Sequence, residues 1–88
     1  MAHVKLFGLF RHYAGKREAE VPGGTVRAVL EALCADNTRL QEAVMAEAAL
    51  RPYVRVVVNG HAIELAQGLE TALAPGDEVA IFSPVAGG

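Results

Sequence analysis

The chain is short of the residues that build disulfide-rich and membrane-spanning proteins. It has 88 residues, with one cysteine, Cys34, and no tryptophan. A single cysteine excludes an internal disulfide framework, and no apolar run approaches the roughly 18 residues that a membrane-spanning helix needs. The amino-terminal residues lack the layout of a signal peptide. We therefore expect a soluble, cytoplasmic protein without a membrane partner.

The sequence also lacks a basic excess. Eight lysines and arginines stand against ten aspartates and glutamates, and no segment concentrates the positive charge. A protein that binds nucleic acid usually has such a segment or face, so we expect no nucleic-acid partner. Hydrophobic residues make up 52% of the chain and charged residues 20%, which is typical of a folded domain. The length suffices for one domain with its own core.

Few residues are arranged for catalysis or metal binding. His3, His12 and His61 are far apart in sequence and none forms a pair at ligand spacing, so only the fold can bring them together. Cys34 lies at the edge of a predicted helix, where a cysteine is more often a small buried hydrophobe than a nucleophile. The carboxylates are scattered, and there is no phosphate-binding loop. We predict no catalytic site within the domain, no metal and no bound cofactor.

Alternation of apolar and polar residues predicts a first strand over residues 3–10, with Phe10 on its apolar face. Residues 11–16 read as a turn or a short helical turn, where glycine supplies a permissive backbone. Residues 17–21 alternate again and predict an exposed second strand. The two strands are expected to form an antiparallel hairpin.

Two helices are predicted next. Thr25 is a plausible N-cap of the first, which should end near residues 36–37. Its apolar stripe has helical spacing and consists of Val26, Val29, Leu30 and Leu33. Thr38 begins a capping-box pattern, and a second helix is expected to run to about residue 50, where Pro52 ends it. Its inward side is predicted to carry Leu40, Val44 and Ala48.

The remaining chain is predicted to be β-structure. A strand over residues 54–58 is followed by Asn59-Gly60, a strong hairpin signal, and by a short return strand at 61–63. Residues 74–77 have the proline and glycine of a type II turn, and a final strand follows over residues 78–82. One sheet with helices packed across it is an α+β roll.

Strand parity predicts an apolar patch on the sheet face opposite the helices. Val4, Leu6, Val79 and Ile81 should face the helices, so Phe7 and Phe82 should share the other face. Leu9 and Val57 are expected to join them, with Lys5 and Arg55 at the rim. An aromatic patch with a basic rim is typical of a protein-binding surface. The alternative is that loops cover this face, or that scattered exposed apolar residues need no explanation.

The sequence divides into a domain over residues 1–82 and a tail over residues 83–88. Pro84 cannot donate a sheet hydrogen bond, so the sheet should end near it. Gly87 and Gly88 lack Cβ atoms and make the tail thin and flexible. Fully extended, the six tail residues reach roughly 20 Å, which is enough to enter a neighbouring active site. The alternative is an idle, loose end.

Four stretches together resemble a known family. They are the ending Asp77-Glu78-Val79-Ala80-Ile81-Phe82-Ser83-Pro84-Val85-Ala86-Gly87-Gly88, the stretch Val4 to Gly15 with Phe7 and Arg11-x-x-Ala14-Gly15, the helix start Thr25-Val26-x-x-Val29-Leu30, and the turn Val58-Asn59-Gly60. They resemble the MoaD/ThiS family of sulfur carriers, and within it the molybdopterin synthase small subunits. The resemblance spans almost the whole chain. It implies a ubiquitin-like β-grasp fold, with a mixed sheet of about five strands, one main helix and a second short helix on one face.

The resemblance also implies a mechanism and its partners. A ubiquitin-activating-type enzyme would use ATP to adenylate the Gly88 carboxylate. A sulfur donor, such as a cysteine desulfurase or a rhodanese-type protein, would then convert it to a thiocarboxylate. The tail, made thin by Gly87, would enter the large subunit of molybdopterin synthase and deliver sulfur to a pterin precursor of the molybdenum cofactor. The partner-binding residues carried over are Phe7, Phe82, Pro84 and Val85.

The resemblance leaves the pathway open. Ser83 stands where the synthase subunit often has a second proline, so the start of the tail would be less rigid. Carriers that serve thiamine, cysteine or tRNA thiolation share the same ending, as do ubiquitin-like protein modifiers. The stretch from Thr38 to Pro52 is longer than a thiamine carrier needs, which favours the synthase subunit.

Overall fold

A mixed sheet organises the molecule in the computed structural model, which describes residues 1–84. The strands are β1 (Ala2–Leu6), β2 (Glu18–Val21), β3 (Met45–Ala46), β4 (Ala49–Leu50), β5 (Arg55–Val58), β6 (His61–Ala62) and β7 (Glu78–Phe82). The helices are α1 (Gly8–Ala14), α2 (Val26–Cys34) and α3 (Thr38–Val44), with single 3-10 turns at Ile63–Leu65 and Gly68–Glu70.

Five strands form the main sheet, in the order β2-β1-β7-β5-β6, while β3 and β4 pair separately. The central strands β1 and β7 are parallel, with Leu6 opposite Ile81, and the other neighbours are antiparallel. Because parallel strands end at the same edge of a sheet, the carboxyl ends of β1 and β7 lie side by side. The mixed five-stranded sheet agrees with the prediction.

The core lies between one face of this sheet and the helices. Buried and accessible residues alternate along β1 and β7, as expected for strands covered on one face. Val4, Leu6, Val79 and Ile81 are buried, as predicted. The helices contribute buried apolar side chains at helical spacing, which are Val26, Val29, Leu30, Cys34, Leu40 and Val44.

Helix α2 begins where the sequence predicts. Thr25 has an extended backbone, and its Oγ1 accepts a hydrogen bond from the amide of Ala28 at 3.1 Å. This side-chain cap satisfies one of the amides that a helix start leaves unpaired. The first turn of α2 is also held against the segment after the second 3-10 turn, where the amide of Val26 donates to the carbonyl of Thr71 at 3.1 Å.

The first strand is shorter than predicted. It ends at Leu6, and α1 occupies residues 8–14, because the carbonyl of Phe7 accepts from the amides of Phe10 and Arg11. Phe10 is buried as predicted, but it lies on a helix rather than on a strand. The helix ends at Gly15, which has a φ of +74° and caps the carbonyl of Arg11. The antiparallel pairing of β1 with β2 was predicted correctly, but a helix connects them.

The second helix was predicted too long and with the wrong cap. Asn37, rather than Thr38, is the N-cap, because its side chain accepts from the amide of Leu40 at 3.0 Å. The helix ends at Val44, and the chain reverses through Glu47, whose φ is +56°, into the β3–β4 hairpin. Ala48 is consequently exposed at this reversal rather than inward. Pro52 follows the hairpin and does not terminate the helix.

The carboxyl-terminal strands follow the prediction closely. Asn59 and Gly60 have φ values of +50° and +85° and join β5 to β6, as a two-residue hairpin requires. Gly76 has a φ of +87°, and the amide of Asp77 donates to the carbonyl of Ala74 at 3.1 Å. The final strand has the predicted bounds, Glu78–Phe82. Ile63 belongs to a 3-10 turn instead of the return strand.

Across residues 1–84, none of the helices has the length and apolar character needed to cross a bilayer. A cytoplasmic location stays a prediction, as does the boundary between a domain over residues 1–82 and a tail over residues 83–88. Val85, Gly87 and Gly88, three of the predicted functional residues, lie outside the described residues.

Candidate functional site

Two phenylalanines mark the sheet face opposite the helices. The amide of Phe7 donates to the carbonyl of Ile81 at 3.2 Å, which continues the parallel pairing one residue beyond β1 and sets Phe7 beside Phe82. Phe7 is 44% exposed and Phe82 is half-buried. Arg55 lies directly opposite Phe82 on β5. The structure thus brings together the aromatic pair and one predicted rim residue.

A groove opens beside Phe7, between the end of β1, helix α1 and the start of β2. It has a volume of about 340 Å³ and is lined by Lys5, Leu6, Phe7, Arg11, Arg17 and Glu18. Arg11 extends from α1, and Arg17 precedes β2, where its carbonyl accepts from the amide of Leu6 at 2.8 Å. Neither arginine was predicted at this face from the sequence. The helical conformation of residues 8–14 brings Arg11 there.

The root of the tail lies at the end of β7. Ser83 is half-buried and Pro84 is exposed. Ser83 lines a second groove of about 300 Å³ between α1 and α3, together with Leu9, Phe10, Tyr13, Arg39, Glu42, Ala43 and Tyr53. Leu9 was expected on the sheet face beside Val57. It lies on α1 instead, because β1 has already ended, and it contributes to this second groove.

His3 pairs with two glutamates across the β1–β2 ladder. Its Nδ1 contacts the carboxylate of Glu20, and its Nε2 contacts that of Glu18. These hydrogen bonds, first to Glu20 and then to Glu18, raise the pKa of His3. A ring with both nitrogens donating to carboxylates is a cation and offers no lone pair to a metal. Over residues 1–84, no group of three histidine, cysteine, aspartate or glutamate side chains is placed to hold a metal ion.

Cys34 has the environment of a structural cysteine. It is 3% exposed at the end of α2. Burial raises the pKa of its thiol to about 11, so the reactive thiolate is scarce at neutral pH. The remaining histidines, His12 and His61, are exposed on α1 and β6. The described residues therefore place a partly exposed aromatic pair beside the root of the tail.

This arrangement defines a class of protein. A five-stranded mixed sheet crossed by one main helix, with exposed aromatics beside the root of the carboxyl-terminal segment, is a ubiquitin-like β-grasp domain. The family model described as "ThiS family" matches residues 4–88. The chain therefore belongs to the ThiS family of ubiquitin-like sulfur carrier domains.

Curated relatives cover nearly the whole chain. Small archaeal modifier protein 3 of Haloferax volcanii is 33% identical over 88 residues, which span 97% of this chain and 96% of the relative. The sulfur carrier protein CysO of Mycobacterium tuberculosis is 34% identical over 80 residues, spanning 88% of this chain and 86% of the relative. The chain is thus similar both to a named modifier and to a named sulfur carrier.

Solved structures show the same fold. The small archaeal modifier protein 1 of Methanosarcina acetivorans superposes with a TM-score of 0.89 at 32% identity, over 99% of this chain and 95% of that one. CysO in the BexX/CysO complex of Amycolatopsis orientalis superposes with a TM-score of 0.89 at 25% identity, over 100% of both chains. A putative molybdopterin converting factor, subunit 1, of Pyrococcus furiosus superposes with a TM-score of 0.72 at 31% identity, over 96% of this chain and 97% of that one.

Proposed function

We propose that this protein carries sulfur on the carboxylate of Gly88. The observation that supports this proposal most directly is the family match over residues 4–88, which runs through the Gly-Gly ending, on a β-grasp domain. The proposal requires a free carboxylate on Gly88, which an intact-mass measurement of the natural protein establishes. Loading and delivery both depend on other proteins, because the described residues supply a docking face and no catalytic group.

The chemistry requires activation before sulfur transfer. A carboxylate with a pKa of about 3.5 is ionised at neutral pH and is a poor acyl donor to a nucleophile. Attack of a Gly88 carboxylate oxygen on the α-phosphorus of ATP releases pyrophosphate and leaves an acyl adenylate. Hydrosulfide adding at the carbonyl carbon expels AMP with the bonding electrons and leaves the thiocarboxylate directly. A persulfide on a donor protein would instead leave an acyl disulfide, and a second thiol must then attack the donor's sulfur to release the thiocarboxylate and form a disulfide. ATP is therefore a substrate of the adenylating enzyme, and the domain itself needs no cofactor.

The domain's part is to present the tail. Phe82 ends β7 and Phe7 lies beside it, so a partner that binds them is close to the root of the tail at Pro84. Gly87 and Gly88 offer no side chain to a narrow channel. In this proposal Pro84 and Val85 contact the channel mouth, and the glycines reach the reacting centre.

The pathway that receives the sulfur is best proposed from the relatives. The names of the CysO relatives favour a carrier in the manner of CysO, whose sulfur would serve cysteine formation, and a partner resembling BexX. Service to a molybdopterin synthase large subunit is supported by the Pyrococcus furiosus likeness and stays a second pathway for the same carrier. Thiamine synthesis and tRNA thiolation use the same loaded group. A cysteine desulfurase or a rhodanese-type protein fits as the sulfur donor.

A protein modifier is the second candidate function. The similarity to small archaeal modifier proteins of Haloferax volcanii and Methanosarcina acetivorans favours it. It uses the same acyl adenylate but transfers Gly88 to an amine, forming an isopeptide bond. A modifier would produce a ladder of conjugates in cells, which disappears when Gly88 is deleted. A carrier without modifier activity would leave no such ladder.

The direct test is mass spectrometry of the intact protein. The chain is incubated with ATP, a ubiquitin-activating-type enzyme from its own source and a sulfur donor. We expect the mass increase for replacement of one oxygen by one sulfur, mapped to the carboxyl-terminal peptide. A variant lacking Gly88 should remain folded and unmodified. Absence of the increase in the wild-type chain, with an enzyme that is active on another carrier, would contradict the proposal.

A further inference from the structure

Cations flank the aromatic pair on both sides. Arg55 on β5 stands opposite Phe82, Phe82 lies beside Phe7, and the groove next to Phe7 contains Arg11 and Arg17. Neighbouring strands are about 4.8 Å apart, so the backbones that carry Arg55, Phe82 and Phe7 lie within about 10 Å of each other. We call Arg11, Arg17 and Arg55 the arginine collar.

The collar has no acidic partners of its own. Within residues 1–84, no carboxylate oxygen lies within 4.0 Å of a side-chain nitrogen of Arg11, Arg17 or Arg55. Arg55 donates to two backbone carbonyls, those of Pro52 at 2.9 Å and Val54 at 3.1 Å. Such bonds orient the guanidinium but leave its charge uncompensated.

The nearby charges on the same face are already paired. Glu18, the acidic residue in the groove, contacts His3. Lys5 lies 3.6 Å from Glu78. Among the residues that the structure describes, Arg11 and Arg17 in the groove have no acidic partner, although the whole chain has a net charge of -2. The positive charge of these arginines therefore lies on both sides of Phe7 and Phe82, in a chain whose net charge is negative.

We propose that the arginine collar docks carboxylates on the surface of the adenylating enzyme, around the channel that receives Gly88. The proposal rests on the carrier function proposed above and adds the chemistry of the partner: an apolar socket for Phe7 and Phe82, with acidic residues on both sides. Arginine forms bidentate contacts with carboxylates, and aromatic and arginine side chains are enriched in the centres of interfaces.

Charge complementarity at this position also guides the tail. Opposite charges steer encounter and raise association rates, and the effect weakens as salt screens it. A carrier that is loaded at one protein and unloaded at another benefits from fast, reversible binding. The collar flanks the aromatic pair, and Phe82 directly precedes the tail root at Ser83 and Pro84, so attraction there brings the tail near the channel before the aromatic pair makes contact.

The test is steady-state adenylation of the full chain by its activating enzyme, with the double variant Arg11→Glu/Arg17→Glu. We expect KM for the carrier to rise by about tenfold or more while kcat changes by less than about twofold, because rim charges act mainly on association. The fall of kcat/KM with ionic strength should flatten in the variant. The charge-conserving double variant Arg11→Lys/Arg17→Lys should retain most of the affinity.

Lys16→Glu is the matched control. Lys16 is exposed and next to Arg17 in sequence, but it lines a different groove, on the helix side, with Asn37 and Leu40. The Lys16→Glu substitution changes the charge by the same amount per residue as each arginine substitution. It should leave KM and its salt dependence near the wild-type values. Thermal unfolding of every variant checks that the fold is intact.

The outcomes separate this inference from the carrier function. A wild-type chain that is adenylated, with KM unchanged in the Arg11→Glu/Arg17→Glu variant, overturns the collar and leaves the carrier function standing. A chain that binds the enzyme through the arginines without being adenylated overturns the carrier function and leaves the docking surface standing. Binding of single-stranded DNA through the arginines, without binding of the enzyme, overturns the inference in favour of a nucleic-acid surface.

Discussion

The amide of Phe7 donates a hydrogen bond to the carbonyl of Ile81 at 3.2 Å, one residue past the end of β1. This bond extends the parallel pairing of β1 with β7 to the point where the chain turns into α1. It therefore fixes an exposed aromatic residue beside the strand from which the tail leaves. The aromatic pair and the tail root are both held by the two central strands of the sheet.

Replacing Phe7 with alanine should weaken binding to the activating enzyme while changing the stability of the fold little. Phe7 is 44% exposed, so Phe7→Ala should lower the free energy of unfolding by less than about 1 kcal/mol. Loss of the aromatic anchor should weaken binding to the activating enzyme by about tenfold or more. Chemical denaturation and isothermal titration calorimetry measure the two effects on the same protein.

Phe10 is the control for the Phe7 substitution. It is the same residue type three positions along and is 2% exposed in the core. Phe10→Ala should cost about 3–5 kcal/mol of stability, and the milder Phe10→Leu should fold and bind the enzyme normally. Equal stability losses for Phe7→Ala and Phe10→Ala would contradict the exposed position assigned to Phe7.

Gly23 is a position where the backbone leaves no room for a side chain. Its φ is +149°, and a Cβ atom would lie 2.8 Å from both the amide nitrogen and the Cγ2 of Val29. Gly23→Ala should therefore lower the free energy of unfolding by about 1–3 kcal/mol, through backbone strain and overpacking against α2. Gly24→Ala is the matched control, because a Cβ there meets no atom within 4 Å. Equal stabilities of the two variants in urea denaturation would contradict this account.

The sequence predicted the strands and turns that are governed by local chemistry. Asn59-Gly60 and the turn through Gly76 need positive φ values that few other residues tolerate. The residue types alone therefore predict where these turns lie. Thr25 capped α2 as expected because the capping bond joins residues three apart. The alternation along β7 is uninterrupted, and its bounds were predicted correctly.

The errors arose where tertiary structure decides between local alternatives. Residues 8–10 alternate acceptably as a strand, and only the carbonyl of Phe7, which accepts from two amides ahead of it, shows that the chain enters α1. Asn37 and Thr38 are both good caps. Asn37 is used because its side chain also donates to the carbonyl of Tyr13 at 2.9 Å, a contact between α3 and α1 that no local pattern reveals.

The same limit applies to the candidate site. Parity along two strands sufficed to place Phe7 and Phe82 on one face, because each lies one residue from a predicted core position. Of the arginine collar only Arg55 was predicted at this face, since Arg11 reaches it only when residues 8–14 are helical. The part of the tail beyond Pro84 lies outside the described residues, so the roles of Val85, Gly87 and Gly88 stay predictions.

Cys34 should be unreactive in the folded protein. Burial raises the pKa of its thiol to about 11, so at pH 7 only about one molecule in ten thousand has a thiolate there. We expect slow alkylation by iodoacetamide in buffer and fast alkylation in denaturant, followed by mass spectrometry. Cys34→Ala should load sulfur at the wild-type rate, with some loss of stability. Rapid alkylation of the native protein, or loss of loading in a folded Cys34→Ala variant, would contradict a structural role.

The contact between His3 and its two glutamates should make stability depend on pH. Hydrogen bonds from His3 to Glu20 and Glu18 raise its pKa above the ordinary value of 6.5 in the folded protein. A group whose pKa is raised on folding stabilises the fold fully below its unfolded pKa, and the stabilisation is lost as pH rises through the folded pKa. The stability difference between wild type and His3→Asn should therefore be largest below about pH 6.5 and shrink at higher pH. Urea denaturation across this range measures the stability difference.

The control is the same substitution in a Glu18→Gln/Glu20→Gln background, where these two carboxylates are absent. There, His3→Asn should change the pH dependence of the free energy of unfolding much less. A difference that instead grows with rising pH would show that His3 is neutral in the fold.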